Sequence, residues 1–214
     1  MHISIFLTYG NSLETWDQAG LISRELRIFQ YLQKNHGVKF TFYTYGDNNE
    51  MKFSSEYPEF EIVPIYSKLK LSRFKSINLL KSFLIPFLLR SSVKKTDIIY
   101  QNQLFGSWVT IFLKLLTRKP LFVRTGYNIY KFAILDKKTR AKIYLYKILT
   151  KFTLNSAEIF SVTSNQDLQF IKKNFPNYKC NLILRQNWVD IKEVNKNFDY
   201  SKKIGSNKIL SVGR

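Results

Sequence analysis

The chain has 214 residues and a formal net charge of +19, and both its charge and its composition exclude several classes of protein. The only cysteine, Cys180, allows no internal disulfide, and only His2 and His36 accompany it, so we expect no metal site and a reducing compartment. A surface this basic attracts polyanions, whether nucleic acid, anionic lipid or phosphorylated substrates. The alternative is a solvated lysine surface that reflects codon usage.

The first half of the chain alternates apolar runs with one helical pattern. An unbroken apolar run at residues 3–8 is typical of a buried strand and not of a signal peptide. A polar loop is expected at 9–17, and helical spacing predicts a helix from about residue 18 to 35, with Gly37 as its stop. Two further strands are predicted at residues 38–45 and 61–66.

The segment 68–95 combines an apolar helix with many basic residues. Pro86 is predicted to kink this helix, and Lys81 interrupts an apolar run that is too short to span a bilayer. Apolar and basic side chains together favour binding to an anionic membrane surface, and the alternative is a core helix with a charged outer face. The residues expected to contact the membrane are Lys68, Lys70, Arg73, Lys75, Arg90, Lys94 and Lys95.

The second half continues the alternation, with strands predicted at 120–124, 159–163 and 182–184 and helices at 105–117, 137–154 and 165–175. The segment 97–103 is predicted to start as a strand and to end in a polar loop. This order predicts an α/β fold: a Rossmann-like, doubly wound, mostly parallel sheet with helices on both faces. We expect one domain at residues 1–190, a polar linker at 191–206, and the first strand of a second domain at 207–214.

In a doubly wound sheet the ligand binds outside the carboxyl ends of the strands, so the candidate site lies in the loops that follow them. These loops are polar and most carry an aromatic residue, a composition typical of a carbohydrate cleft. Arg124 is expected to bind a phosphate or a sugar hydroxyl, and Tyr127 to stack on a sugar; the alternatives are a surface ion pair and a loop aromatic. The other candidates for binding the acceptor are Gly10, Trp16, Gln101, Asn102, Gln103 and Asn187. The alternative roles are an ordinary turn for Gly10, a helix staple for Trp16, hydrogen bonds to the loop backbone for the amides at 101–103, and capping for Asn187. Arg24 and Glu25 are expected to form a structural pair.

Six segments in this order resemble the N-terminal, acceptor-side domain of glycosyltransferase family 4, which has the GT-B fold. They are WDQAGLISRE (16–25), TYGD (44–47), NQLFGSW (102–108), VRTGY (123–127), NWVD (187–190) and ILSVGR (209–214). The chain departs from the family in two respects: no histidine is available in the position that many members use near the reacting sugar, and the donor domain, with its paired glutamates and phosphate-binding lysine, is missing.

This resemblance implies a hexosyltransferase-like enzyme that moves a sugar from a nucleotide-sugar co-substrate to a glycan or lipid-linked acceptor. It implies retention of configuration, no metal and no cofactor, and a place in the cytoplasm or at the inner face of the cytoplasmic membrane. Arg214 is similar to the family's diphosphate-binding arginine at the start of a missing donor domain, so the chain alone would be inactive. Two alternatives stay open: a non-catalytic acceptor-binding subunit, and a basic nucleic-acid-binding protein, for which no known motif is found.

Overall fold

A computed structural model describes residues 1–187 of the chain. The predicted linker, the predicted strand at 207–214 and Arg214 lie outside the described residues. Seven parallel strands form one sheet in the order β3-β2-β1-β4-β5-β6-β7, which confirms the predicted Rossmann-like α/β fold. The strands are β1 (His2–Phe6), β2 (Lys39–Thr44), β3 (Glu61–Pro64), β4 (Ile98–Asn102), β5 (Leu121–Thr125), β6 (Ile159–Val162) and β7 (Asn181–Leu184).

Helices cover both faces of the sheet, and each face has its own core. The helices are α1 (Leu13–Gln18), α2 (Ile22–His36), α3 (Lys52–Glu56), α4 (Lys75–Ser82), α5 (Ile85–Val93), α6 (Ser107–Thr117), α7 (Ile129–Leu135), α8 (Arg140–Ser156) and α9 (Asn165–Asn174). Because side chains alternate along a strand, Ile5 packs under α2 while Phe6 packs on the opposite face, with α5, α6 and α8. The strand order reverses between β1 and β4, which makes that point the topological switch of the sheet.

The predicted loop at 9–17 is wrong, because α1 forms inside it. Ser12 caps this helix: its hydroxyl accepts a hydrogen bond from the Thr15 amide at 3.1 Å, and the Thr15 hydroxyl accepts one from the Ser12 amide at 2.9 Å. This reciprocal pair is a capping box with threonine in the third position. The single helix predicted from residue 18 is also divided, since Gly20 has a φ of 64° and α2 begins only at Ile22.

The predicted kink at Pro86 is wrong as well. Two separate helices, α4 and α5, replace one bent helix, and Phe83 and Leu84 lie between them. Pro86 lies in the first turn of α5. In a first turn the missing N–H of proline has no helical partner to lose, so the residue starts a helix there instead of bending one. Helices α3 and α7 were not predicted, because five or seven residues are too few to show a helical period.

Candidate functional site

A cleft of about 380 Å³ opens between helix α2 and the carboxyl ends of the strands β4, β5 and β7. Parallel strands end at the same edge of a sheet, and this brings together residues that are far apart in the chain. Five of the eight candidate acceptor-binding residues lie in its wall: Asn102, Gln103, Arg124, Tyr127 and Asn187. The remaining lining residues are Arg24, Glu25, Ile28, Phe29, Tyr100, Gly126, Arg185 and Gln186.

Arg124 is the central polar side chain of this cleft. Its Nη1 donates a hydrogen bond to Asn102 Oδ1 at 3.2 Å, and its Nη2 donates one to Asn187 Oδ1 at 2.7 Å. Both acceptors are neutral amide oxygens, and no carboxylate among residues 1–187 pairs with this guanidinium. The alternative of a surface ion pair is therefore not what the described residues show. The amides fix the orientation of Arg124 without neutralising its charge.

A second arginine, Arg185, adds to the positive charge of the same wall. Its guanidinium carbon lies 5.9 Å from the centroid of the Phe122 ring, which stacks on Tyr100 at 5.1 Å. Burial raises the pKa of Tyr100, while the positive charges of Arg124 and Arg185 act to lower it. Both cations are thus close enough to one phenol to act on its ionisation. A wall with two such guanidinium groups suits a phosphate, a carboxylate or a sugar hydroxyl.

Arg24 and Glu25 form the expected pair, at 2.6 Å, on the side of the cleft that α2 supplies. From the sequence, these two residues were expected only to form a structural pair, and their position in the wall of the cleft was not predicted. Arg185 follows the strand predicted at 182–184, so it lies in one of the loops expected to form the site, but it was not among the residues chosen. The sequence did indicate Arg185, because this residue directly follows a predicted strand, at the carboxyl end where ligands bind in such a sheet.

Gln103 links the end of β4 to the loop after β5. Its Oε1 accepts hydrogen bonds from the Gly126 amide at 2.9 Å and from the Tyr127 amide at 3.2 Å. Its own backbone has a φ of 73°, a left-handed conformation that is costly for a residue with a side chain. The Tyr127 ring stacks on Phe132 at 4.4 Å and is 47% exposed. The cleft that contains the two arginines is therefore also lined by an aromatic ring, which is stacked on Phe132.

The other three candidates lie elsewhere. Gln101 is fully buried, and its amide contacts the Leu7 carbonyl at 3.4 Å and the Thr110 hydroxyl at 3.0 Å. It points to the face opposite Asn102 because neighbouring residues alternate along β4. Trp16 is buried in the core beneath α2, which favours its packing alternative. Gly10 is exposed, with a φ of 83°, in the loop after β1 and does not line the cleft.

Among residues 1–187, no group of three His, Cys, Asp or Glu side chains is arranged to hold a metal ion. The expectation that the protein works without a metal or a cofactor stays a prediction.

Neither known sequence families nor characterised protein sequences gave a match to this chain. Solved structures do match. Sucrose-phosphate synthase from Thermosynechococcus elongatus aligns over 90% of this chain and 49% of its own, with 12% identity and a TM-score of 0.66. HepE from Anabaena in complex with UDP aligns over 90% and 45%, with 12% identity and a TM-score of 0.59. A glycosyltransferase from Rickettsia africae aligns over 94% and 47%, with 13% identity and a TM-score of 0.57. The chain thus spans about half the length of these proteins and is similar to them in fold, a Rossmann-like α/β domain.

Proposed function

We propose that the chain is the acceptor-binding half of a glycosyltransferase that moves a sugar from a nucleotide-sugar to a glycan or lipid-linked acceptor. The observation that carries this proposal is the cleft at the strand ends, where two amides hold Arg124 and no carboxylate among residues 1–187 pairs with it. The fold adds support, because the similar solved proteins include a glycosyltransferase and a protein with bound UDP. HepE has also been solved with UDP-glucose.

In this proposal the domain at residues 1–187 binds the acceptor. A second domain binds the donor, and it corresponds to the half of the similar solved proteins that does not align with this chain. Arg124 and Arg185 would hold a phosphate or a hydroxyl of the acceptor, and the exposed face of Tyr127 would stack on a sugar ring. Gln103 would act as a positioning residue, because it fixes the loop that carries Tyr127. We assign no residue of 1–187 to the step that breaks the bond between the sugar and the nucleotide. In the proposal this step requires the second domain.

The finer parts of the proposal come from the family resemblance. They are retention of configuration, metal-independent transfer and inactivity of this chain when it is alone. The donor would contact the protein through residues outside those described here, among them Arg214.

The test uses the intact polypeptide from its source cells, incubated with labelled nucleotide-sugars and with lipid and glycan extracts of those cells. We expect label in one extract fraction, and a loss of about tenfold in acceptor affinity for Arg124→Ala, the effect of one charged hydrogen bond. Arg118→Ala is the matched control, because Arg118 is exposed at the end of α6, on the opposite edge of the sheet.

Transfer with equal acceptor affinity in both variants would remove Arg124 from the site. A complete lack of transfer from every nucleotide-sugar would overturn the enzymatic proposal. If the extract fraction still bound in an Arg124-dependent way, the non-catalytic acceptor-binding subunit would take its place.

A further inference from the structure

Helices α4, α5, α6 and α8 form one continuous outer layer on the face of the sheet opposite α2. Helix α5 packs on α6, and α6 packs on α8. The Phe83 and Phe112 rings lie 6.1 Å apart, and Trp108 Nε1 donates a hydrogen bond to Ser82 Oγ at 2.9 Å, so the segment between α4 and α5 is fixed to α6. We call the solvent side of these four helices the outer helical surface.

Large apolar side chains are exposed on every helix of this surface. Leu80 on α4 is 70% exposed, Phe87 on α5 and Leu115 on α6 are each 65% exposed, and Leu145 on α8 is 59% exposed. Single exposed apolar residues are normal on proteins, but a contiguous group marks a surface that binds something.

Charge is distributed unevenly between this surface and the rest of the domain. Between Ile62 and Ala157 only Asp97 and Asp136 are acidic, although most of the basic residues fall in that range. Asp97 accepts a hydrogen bond from the His2 amide, and Asp136 lies 3.6 Å from Lys138, so each already has a partner. The basic residues of segment 68–95 that the sequence assigned to a membrane are all exposed.

We propose that the outer helical surface binds an anionic lipid bilayer. Leu80, Phe87 and Leu115 enter the interface between headgroups and acyl chains, and the surrounding Lys and Arg side chains meet the lipid phosphates. The charge argues against a second copy of the chain as the occupant, because face-to-face packing would bring two strongly positive surfaces together. Among residues 1–187 no helix is long and apolar enough to cross the bilayer.

This proposal is independent of the transferase activity, and it enlarges what the sequence predicted. The sequence indicated a membrane contact only for segment 68–95. The structure adds α6 and α8, whose exposed apolar side chains continue the same surface.

The experiment is vesicle flotation of the purified chain, with phosphatidylcholine vesicles that contain or lack phosphatidylglycerol. We expect flotation with anionic vesicles only, and release by salt, because added ions shorten the range of the attraction. Phe87→Glu tests the apolar contact, and Met51→Glu is its matched control, since Met51 is a large apolar residue that is 49% exposed but lies outside the surface. Lys94→Glu with Lys95→Glu tests the charge.

The control for the charge variant is Lys34→Glu with Lys39→Glu, the same change at exposed positions near the end of α2. We expect the surface variants to lose at least about tenfold in vesicle partitioning and the controls to change little. All variants should keep the melting temperature of the parent chain. Equal binding to neutral and anionic vesicles, or equal loss in the control variants, would overturn the proposal. A concentration-dependent dimer that Phe87→Glu dissociates, without any flotation, would assign the surface to a second copy.

Discussion

The buried carboxylate of Glu50 is predicted to be the reason that position 46 requires glycine. Glu50 is 1% exposed, and its Oε1 accepts a hydrogen bond from the Glu14 amide at 3.0 Å while its Oε2 accepts one from the Thr44 hydroxyl. A methyl group on Gly46 would overlap this carboxylate and lie 2.6 Å from Glu50 Cγ. Gly46→Ala therefore has to displace the side chain from both of its hydrogen bonds.

The size of the effect follows from those two bonds. A hydrogen bond to a charged group contributes about 1.5–3 kcal/mol, so the loss of both in Glu50→Ala should lower the free energy of unfolding by about 3–6 kcal/mol. Gly46→Ala should cost a similar amount, because it breaks the same bonds. The double variant should cost no more than Glu50→Ala alone, since the methyl group then has space. The expected coupling energy between the two sites then equals the cost of Gly46→Ala, about 3–6 kcal/mol.

Urea denaturation of the four proteins measures this coupling directly. Gly126→Ala is the control for the exchange itself, since a methyl group there meets only the Gln103 amide at 3.4 Å and a Thr163 methyl at 3.7 Å. We expect a change within about 1 kcal/mol in that control. Costs of Gly46→Ala and Glu50→Ala that add to within about 0.5 kcal/mol would refute the reasoning, because the two residues would then act independently.

Three further predictions concern other parts of the chain. Burial raises the pKa of Glu158, but hydrogen bonds from Lys114 and the Leu121 amide outweigh it and lower the pKa below its ordinary value. Ionised Glu158 therefore stabilises the fold at pH values above its ordinary pKa, and this contribution is lost as the pH falls through the lowered pKa. On the acid side, the free energy of unfolding of Glu158→Gln should decrease less than that of the parent chain, by at most about 1 kcal/mol. Burial raises the pKa of the Cys180 thiol to about 11, so iodoacetamide at neutral pH should modify the folded chain at least about a hundredfold more slowly than the urea-unfolded chain. Equal rates would show that the thiol is accessible. Finally, mass measurement in the source cells should find a polypeptide roughly twice this length, with one more domain of similar size. A product ending at Arg214 would favour the alternative of a non-catalytic acceptor-binding subunit.

The strands and the fold class could be predicted from the sequence because they depend on local pattern. The apolar run at residues 3–8 is an example: Ile5, Phe6 and Leu7 are all fully buried, on alternate faces of the sheet, and predicting this strand needs no information beyond the run itself. The separation of α1 from α2 also has local causes, namely the hydrogen bonds between Ser12 and Thr15 and the left-handed backbone of Gly20. It was not predicted, because the polar composition of residues 9–17 is also typical of a loop.

The candidate site was predicted less completely, because several residues were treated as one group. Gln101, Asn102 and Gln103 are consecutive, yet one is buried in the core, one orients Arg124 and one fixes a loop. Alternation along a strand was enough to separate Gln101 from Asn102. The left-handed backbone of Gln103 gave no signal in the sequence, since nothing marks a glutamine for that conformation.

The sequence by itself determined the alternation of strands and helices, the strongly positive charge and the set of loops in which a ligand can bind. Only the tertiary structure decided which of those loops meet. Arg124 and Asn187 are 63 positions apart and become hydrogen-bonded because β5 and β7 have one strand between them, an order that no local pattern encodes. The same is true of Leu115 and Leu145, whose exposure depends on which helices cover a face of the sheet and which remain outermost.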